Sequence, residues 1–372
     1  MTALEQVPPG EDGDIKRIVE LTNAQLKRRY TDKGTDVLRG VHTKGHGCVG
    51  ATFTVEESLE DKYRVGVFAQ PGRAYEAVIR FSNASVDLSP DSKLVKSAIE
   101  HGSRGMAVKL MGVAGSPLMP TDGPLTQDFL MVNQPVFAFA NVEDYLALSD
   151  VLQKNNDDAK PFFTRIGDTN PDISRRAKAT AGIVGQITSP ISPPAFQAPP
   201  LSPLDNRYFS GAAFLFGEGR AMKFAAEPVS PKPGSPSDVS DRDYLRKALH
   251  ERLTGAATGD AVFKFQIQVR GADSLAGKLD PEIENASTLW KEEDHPFEHV
   301  ATIRIPPQEV DTAELQARCE RLVFSPWHGI AEHRPLGGIN RLRRAVYEAS
   351  AVARGASPGG CPAGRSPPAS TG

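Results

Sequence analysis

The residues of this chain whose types and spacing could do chemistry fall into four short segments. The first reads Arg39-Gly40-Val41-His42-Thr43-Lys44-Gly45-His46-Gly47, with a further glycine at Gly50. Glycines at this density let a backbone approach a flat or bulky ligand closely. His42, set among them, is of the side-chain type that exchanges protons near neutral pH. His46 shares the loop without a separate claim. The second segment, Arg80-Phe81-Ser82-Asn83, ends an apolar run, and the third, Met131-Val132-Asn133-Gln134-Pro135-Val136-Phe137, ends another with an amide. The fourth is Arg343-Arg344-Ala345-Val346-Tyr347. Arg343 and Tyr347 stand at i and i+4 of a helical pattern and share one face. A phenol serves as a metal ligand only when ionised, and a guanidinium one turn away favours the phenolate. Singly, each segment also has an ordinary explanation: a turn histidine, a solvated arginine, an amide closing a turn, a chance helical pair.

These residues need elements to position them. Short apolar or alternating runs predict strands at Gly50–Val55, Ala77–Ser82, Gly105–Met111 and Phe129–Asn133, then at Phe209–Phe216, Ala221–Ala226, Ala261–Val269 and His299–Ile305. Eight such segments in two groups of four can close into an antiparallel barrel with little open edge. Helical spacing marks Asp14–Tyr30, Val142–Gln153, Arg242–Leu253, Ala313–Leu322 and Ile339–Ala353. The prolines of Ser189–Pro203 exclude helix and central strand there, so that stretch must wrap or link the two groups. The fold class expected is α+β: an antiparallel eight-stranded barrel with surrounding helices and a C-terminal helix bearing Tyr347. Residues 1–12 read as a flexible N-terminus, 13–352 as a single domain, and the Gly/Pro/Ser-rich 353–372 as a disordered tail.

Composition narrows the function classes. Hydrophobic residues make up 39% and charged residues 24% of the 372, as in an ordinary globule. A net charge of −3 gives no reason to expect nucleic acid. No apolar run approaches the ~20 residues of a membrane span, and the acidic N-terminus does not read as a secretory signal, so a cytoplasmic setting is expected. The three cysteines, Cys48, Cys319 and Cys361, have no metal-ligand spacing, and their odd number argues against a disulfide framework. Cys361-Pro362 reads as a chance pair in the tail, and Glu292-Glu293-Asp294 beside His295 and His299 as a solvated turn.

Together the segments resemble the haem catalases, and in the same order. Val41-His42-Thr43-Lys44-Gly45-His46-Gly47 is similar to their Val-His-Ala-Lys-Gly-Ala-Gly, and Arg39 stands three residues before the histidine, as theirs does. Arg80-Phe81-Ser82 matches Arg-Phe-Ser, Arg104-Gly105-Met106-Ala107-Val108-Lys109 resembles Arg-Gly-Phe-Ala-Val-Lys, and Pro135-Val136-Phe137 resembles Pro-Val/Ile-Phe. Phe265-Gln266-Ile267-Gln268-Val269 looks like their Tyr-Ile-Gln-Val strand, and Phe324-Ser325-Pro326 precedes Arg343-x-x-x-Tyr347 as Phe-Asp/Ser-Pro precedes their proximal Arg-x-x-x-Tyr. The resemblance covers about residues 38–350 and is closest in size to the minimal catalase-related proteins, which include peroxidases and allene oxide synthases.

The resemblance implies a ferric haem (heme b) ligated by the tyrosinate of Tyr347, with Arg343 keeping the phenol ionised. It implies His42 as distal acid/base, oriented by Ser82, and Arg39, Arg80 and Arg343 as charges facing propionates or phenolate. Val41 and Phe137 would line the cofactor. Catalases carry Asn-Asn-Thr-Pro where this chain has Val132-Asn133-Gln134-Pro135, so the distal amide falls to Asn133, although the catalytic one in the family is usually the first asparagine. No NADPH site is expected. A peroxide substrate and a small-molecule electron donor would be the partners, and homo-oligomerisation is left open. Three functions remain: a haem peroxidase with weak catalase activity, a lipid-hydroperoxide isomerase or lyase of the allene-oxide-synthase kind, and a non-enzymatic haem-binding protein. Valine at 41, as in catalases, where allene oxide synthases have threonine, brings the site closer to catalase, while a chain shorter than a full catalase would expose the haem edge more and suit larger reductants, which places peroxidase first.

Overall fold

The computed structural model describes residues 4–84, 90–95, 98–101, 103–120, 123–137, 139–157, 161–162, 201–229, 238, 240–255, 259–271 and 281–356. Alternating apolar residues build the centre of the molecule. Strands β1 (Gly45–Val55), β2 (Ala74–Asn83), β5 (Arg104–Met111) and β6 (Thr126–Val132) pair in turn, as do β7 (Tyr208–Phe209), β9 (Ala221–Pro228), β10 (Ala261–Arg270) and β11 (Glu298–Ile305). The pairings β6–β7 and β1–β11 join the two groups into a closed ring of eight antiparallel strands. Every second side chain points inward. Phe81 faces Met106 across β2–β5, and Met106 faces Met131 across β5–β6. Phe53, Phe129, Phe224 and Phe265 fill the interior with ring centroids 4.8–6.1 Å apart, a spacing at which aromatic pairs add to simple area burial.

Two details differ from the sequence expectation. The run Phe209–Phe216 is not one strand: Gly211, at φ 67°, turns the chain. β7 therefore closes the barrel while β8 (Phe214–Leu215) leans on the far end of β9. A small hairpin, β3 (Ser92–Val95) with β4 (Ala98–His101), was not anticipated.

Six α-helices flank the barrel among the described residues: α1 (Glu11–Arg29), α2 (Val142–Lys154), α3 (Tyr244–Thr254), α4 (Pro281–Glu284), α5 (Ala313–Arg321) and α6 (Gly338–Ala353). Asn141 caps α2 by accepting from the Asp144 N–H at 3.0 Å, and Thr312 caps α5 through the Leu315 N–H at 3.2 Å. Ile18 of α1, Val142 of α2 and Leu342 and Val346 of α6 bury one another, so α6 is wedged between the barrel and an α1–α2 layer. None of the described helices is long and apolar enough to cross a membrane.

The chain's start is not loose from Leu4 onward. Leu4 is buried, and the Glu5 carboxylate accepts from the Gly337 N–H at 2.8 Å and from Arg341 at 2.9 Å. Arg341 also meets Glu11 and Glu284, so three carboxylates from the N-terminal segment and α4 hold the first turn of α6. Most of the expected proline-rich link and tail lies outside the described residues, although α6 ends at Ala353 as anticipated.

The expectation of no disulfide is corrected: Cys48 of β1 and Cys319 of α5 are bonded, their Cα atoms 5.5 Å apart. A pairing over 271 residues leaves no mark in spacing, because only the closed barrel brings β1 beneath α5.

Burial also sets an expected acid response. Burial lowers His46 to about 3 and His333 to about 4, so both stay neutral in the fold while unfolded histidine titrates near 6.5. The unfolded chain then binds more protons below about pH 6.5. Stability should be full above that pH and fall on acidification, by about 1.4 kcal/mol per pH unit for each histidine until the depressed values are reached. Urea unfolding of the cofactor-free chain checks this: the midpoint should be clearly lower at pH 5 than at pH 7, and equal midpoints would contradict it.

Candidate active site

The chemistry-bearing residues gather on the outer face of β1, β2, β5 and β6, roofed by α6 and the end of α5. Strand alternation explains the placement. On β2, Ala77, Ile79 and Phe81 enter the barrel core, which leaves Val78, Arg80 and Ser82 on the other face. Cys48, Val78, Ala107 and Leu130 form an apolar wall there with Leu322, Phe324 and Tyr347.

His42 precedes β1 at a β-bulge between Gly45 and Gly47, with φ at 56°. That left-handed backbone is unusual for a non-glycine residue and is the kind of strain that functional loops retain. Three neighbours hold it. The ring Nδ1 lies 3.0 Å from Ser82 Oγ, Arg80 Nη1 donates to the His42 carbonyl at 3.0 Å, and the ring packs over Gly105, where a Cβ would come within 2.4 Å of Nδ1. With Nδ1 engaged, Nε2 is the ring atom left to serve a substrate. Burial, then the charges of Arg80, Arg343 and Arg39, lower His42 to about 3, so it is a neutral imidazole at ordinary pH.

Arg39 and Arg80 converge on one carboxylate that sequence reasoning missed, Glu320 at the end of α5. Arg80 Nη2 donates to Glu320 Oε1 at 3.2 Å, and Arg39 Nη1 donates to Oε2. Arg39 Nη2 also donates to the Leu322 carbonyl at 2.7 Å. A second residue missed is Arg354, just beyond α6, whose Nη1 donates to the Glu320 carbonyl oxygen at 2.9 Å. Burial works against charge on Glu320, yet Arg80 and Arg39 hold its carboxyl below the usual range. Two guanidiniums thus share one carboxylate, with a third on the same residue's backbone carbonyl, and the Nε atoms of Arg80 and Arg354 are buried without a partner among the described residues. Only tertiary structure joins Glu320 to Arg39 and Arg354, so no local pattern marks them.

On α6, Arg343 lies 5.5 Å over the Tyr347 ring and 5.4 Å over Phe137, and donates to Asn340 Oδ1 at 3.0 Å. The expected Arg343–Tyr347 pair is therefore real in space, and Phe137 flanks the same guanidinium. Val41 lines a cleft with Leu21, Tyr145 and Val346 between α1, α2 and α6.

Asn133 does not join them. It shares the parity of Phe129 and Met131, which face the barrel core, and its Oδ1 accepts from the Arg104 N–H at 2.6 Å while Nδ2 turns to Asn206. Its amide braces β5 against β6 at the barrel's end. Val132 has the parity of Leu130 and occupies the site face. His46 likewise points away from His42: its Nε2 meets Asn83 Oδ1 at 3.0 Å. His328 pairs with the buried Asp128 at 3.2 Å, and below the first turn of α6 Trp327 donates to the Asn340 carbonyl at 2.7 Å. Among the described residues no three His, Cys, Asp or Glu side chains cluster as metal ligands.

No family model and no curated protein matches this sequence. Solved structures do. A fungal catalase aligns at TM-score 0.62 and 14% identity over 88% of this chain and 61% of its own. Catalase A from Saccharomyces cerevisiae aligns at 0.63 and 16% identity over 87% and 62%, and a bacterial catalase at 0.59 and 14% over 88% and 59%. The chain spans about three fifths of the length of these catalases. The closed eight-stranded antiparallel barrel with its flanking helices is the catalase fold, carried on a shorter chain.

Proposed function

We propose that this chain is a haem-dependent peroxidase that reduces hydrogen peroxide or organic hydroperoxides. The observation that carries the proposal is the gathering of guanidinium near His42: Arg39 and Arg80 on the single carboxylate of Glu320, and Arg354 on that residue's backbone carbonyl. Buried charge needs partners, and a dianionic ligand such as the propionate pair of haem supplies them. Tyr347, in the apolar wall with Arg343 over its ring, is the side chain that would ligate the iron. Leu130, Phe324 and Val78 offer the apolar surface a porphyrin face needs. When bound, ferric haem would supply the iron on which a peroxide is held and reduced.

The chain's own residues do the proton chemistry. Neutral His42, with Nδ1 engaged by Ser82, accepts the peroxide proton at Nε2 and returns it to the leaving oxygen, so the O–O bond breaks unevenly. Arg80 holds the His42 backbone through its carbonyl. Val132 on the site face supplies no second donor to the leaving oxygen. That absence disfavours rapid disproportionation of hydrogen peroxide and favours reduction by an external donor. The Cys48–Cys319 bond argues against the cytoplasmic setting expected from the N-terminus and the lack of a long apolar run, since cytosolic proteins seldom keep a disulfide.

The test is one preparation of known haem content given hydrogen peroxide with an aromatic donor, hydrogen peroxide alone, and a fatty-acid hydroperoxide alone. Donor oxidation should outpace oxygen evolution, with some oxygen still measurable. Fastest loss of the hydroperoxide without donor would favour the isomerase instead. Rates no higher than free haemin in all three assays would leave a haem carrier.

Gly105→Ala probes the distal geometry. The added methyl would meet His42 Nδ1 at 2.4 Å and Ser82 Oγ at 2.9 Å, displacing the imidazole with no change in charge. Turnover should fall about 100-fold, the usual cost of a 1 Å misplacement. Gly259→Ala, at an open position, should not slow it. Unchanged turnover in Gly105→Ala would refute the role given to His42's position.

A further inference from the structure

Glu320 has a second tie to the site that the proposed chemistry does not use. Its neighbour Cys319 is bonded to Cys48 of β1, and β1 runs directly beneath the carboxylate. A Cβ at Gly45 would lie 3.2 Å from Glu320 Oε1 and 3.0 Å from Arg80 Nη2. The disulfide therefore fixes the end of α5 to the strand that follows His42. From that fixed point Glu320 reaches Arg39 with one oxygen and Arg80 with the other, and Arg80 in turn holds the His42 carbonyl. Without this carboxylate, two buried guanidiniums would face each other with like charge.

We infer that Glu320 is the positioning residue for the Arg39–Arg80 pair, and that the Cys48–Cys319 bond holds it there, so that reducing the disulfide loosens the anion end of the site. The inference rests on the cofactor reading proposed above. Reduction by a dithiol transfers two electrons and two protons to the sulfur pair. It leaves two thiols in the protein and a cyclic disulfide in the reductant. The end of α5 is then free to move, and Arg39 and Arg80 lose a shared, charge-assisted acceptor.

The experiment measures binding and release of metal-free protoporphyrin IX by fluorescence. This ligand carries the same two propionates as haem and no iron for the reductant to attack. Full-length protein is compared oxidised and reduced, as wild type, Glu320→Gln and Glu320→Asp. Glu320→Gln should release the porphyrin about tenfold faster, on the scale of one lost hydrogen bond to a charged group, and Glu320→Asp should recover part of the loss. Reduction should speed release from wild type by a similar factor and add little in Glu320→Gln, because contacts in one network do not add. Equal effects of reduction in wild type and Glu320→Gln would show that the disulfide does not act through Glu320 and overturn the inference. So would wild-type release rates in Glu320→Gln. If oxidised wild type binds neither haem nor porphyrin, the cofactor reading itself falls, a result distinct from binding that ignores Glu320 and the disulfide.

Discussion

His42→Ala should keep its cofactor and lose most of its reaction with peroxide. The side chain holds no ligand in this arrangement. Its Nδ1 faces Ser82, its backbone is fixed by Arg80, and the proposed anion end of the site is Arg39, Arg80 and Arg354. Removing the imidazole removes only the proton carrier, and a positioned acid/base is typically worth about 10²–10⁴ in rate. Because alanine disfavours the φ of 56° that His42 adopts, His42→Asn is the companion variant, asparagine being more tolerant there. Rapid mixing with peroxide in the absence of donor gives the rate of the first step at equal haem content. Burial and three arginines keep His42 near 3, so the wild-type rate should stay flat as pH falls from about 8 to 5 and drop only on approach to that value. A variant as fast as wild type, or a wild-type rate halved near pH 6.5, would remove His42 from the chemistry.

How much of this was legible in the sequence depends on range. The strands were readable because each alternates: Ala77, Ile79 and Phe81 enter the core, and the same parity puts Arg80 and Ser82 on the site face. The i,i+4 spacing gave Arg343 and Tyr347 their common face, which the 5.5 Å stacking bears out. Alternation also carried the signal that corrects Asn133. Phe129 and Met131 belong to the core, so Asn133 must turn inward and Val132 outward, and a one-residue offset on a strand reverses the face. Glu320, Arg354 and the Cys48–Cys319 bond were not legible. Each acquires its partner only when the barrel closes and α5 lies across β1, and no periodicity encodes such a contact.

The second large effect belongs to Tyr347, the one phenol in the apolar wall with Leu130, Leu322 and Phe324. Tyr347→Phe keeps that packing and removes only the oxygen, so the fold should survive while the proposed ligand atom is lost. Ferric haem should be bound weakly, through the arginine cluster alone, and without the absorbance of a phenolate-ligated iron. The direct measurement is an absorbance titration of the cofactor-free protein with ferric haem, wild type beside Tyr347→Phe. Wild type should saturate at one haem per chain with a spectrum distinct from free haemin, and Tyr347→Phe should neither saturate in that range nor show that spectrum. Wild type that leaves the haemin spectrum unchanged, or a Tyr347→Phe chain that reproduces the wild-type spectrum at full occupancy, would contradict the site proposed here.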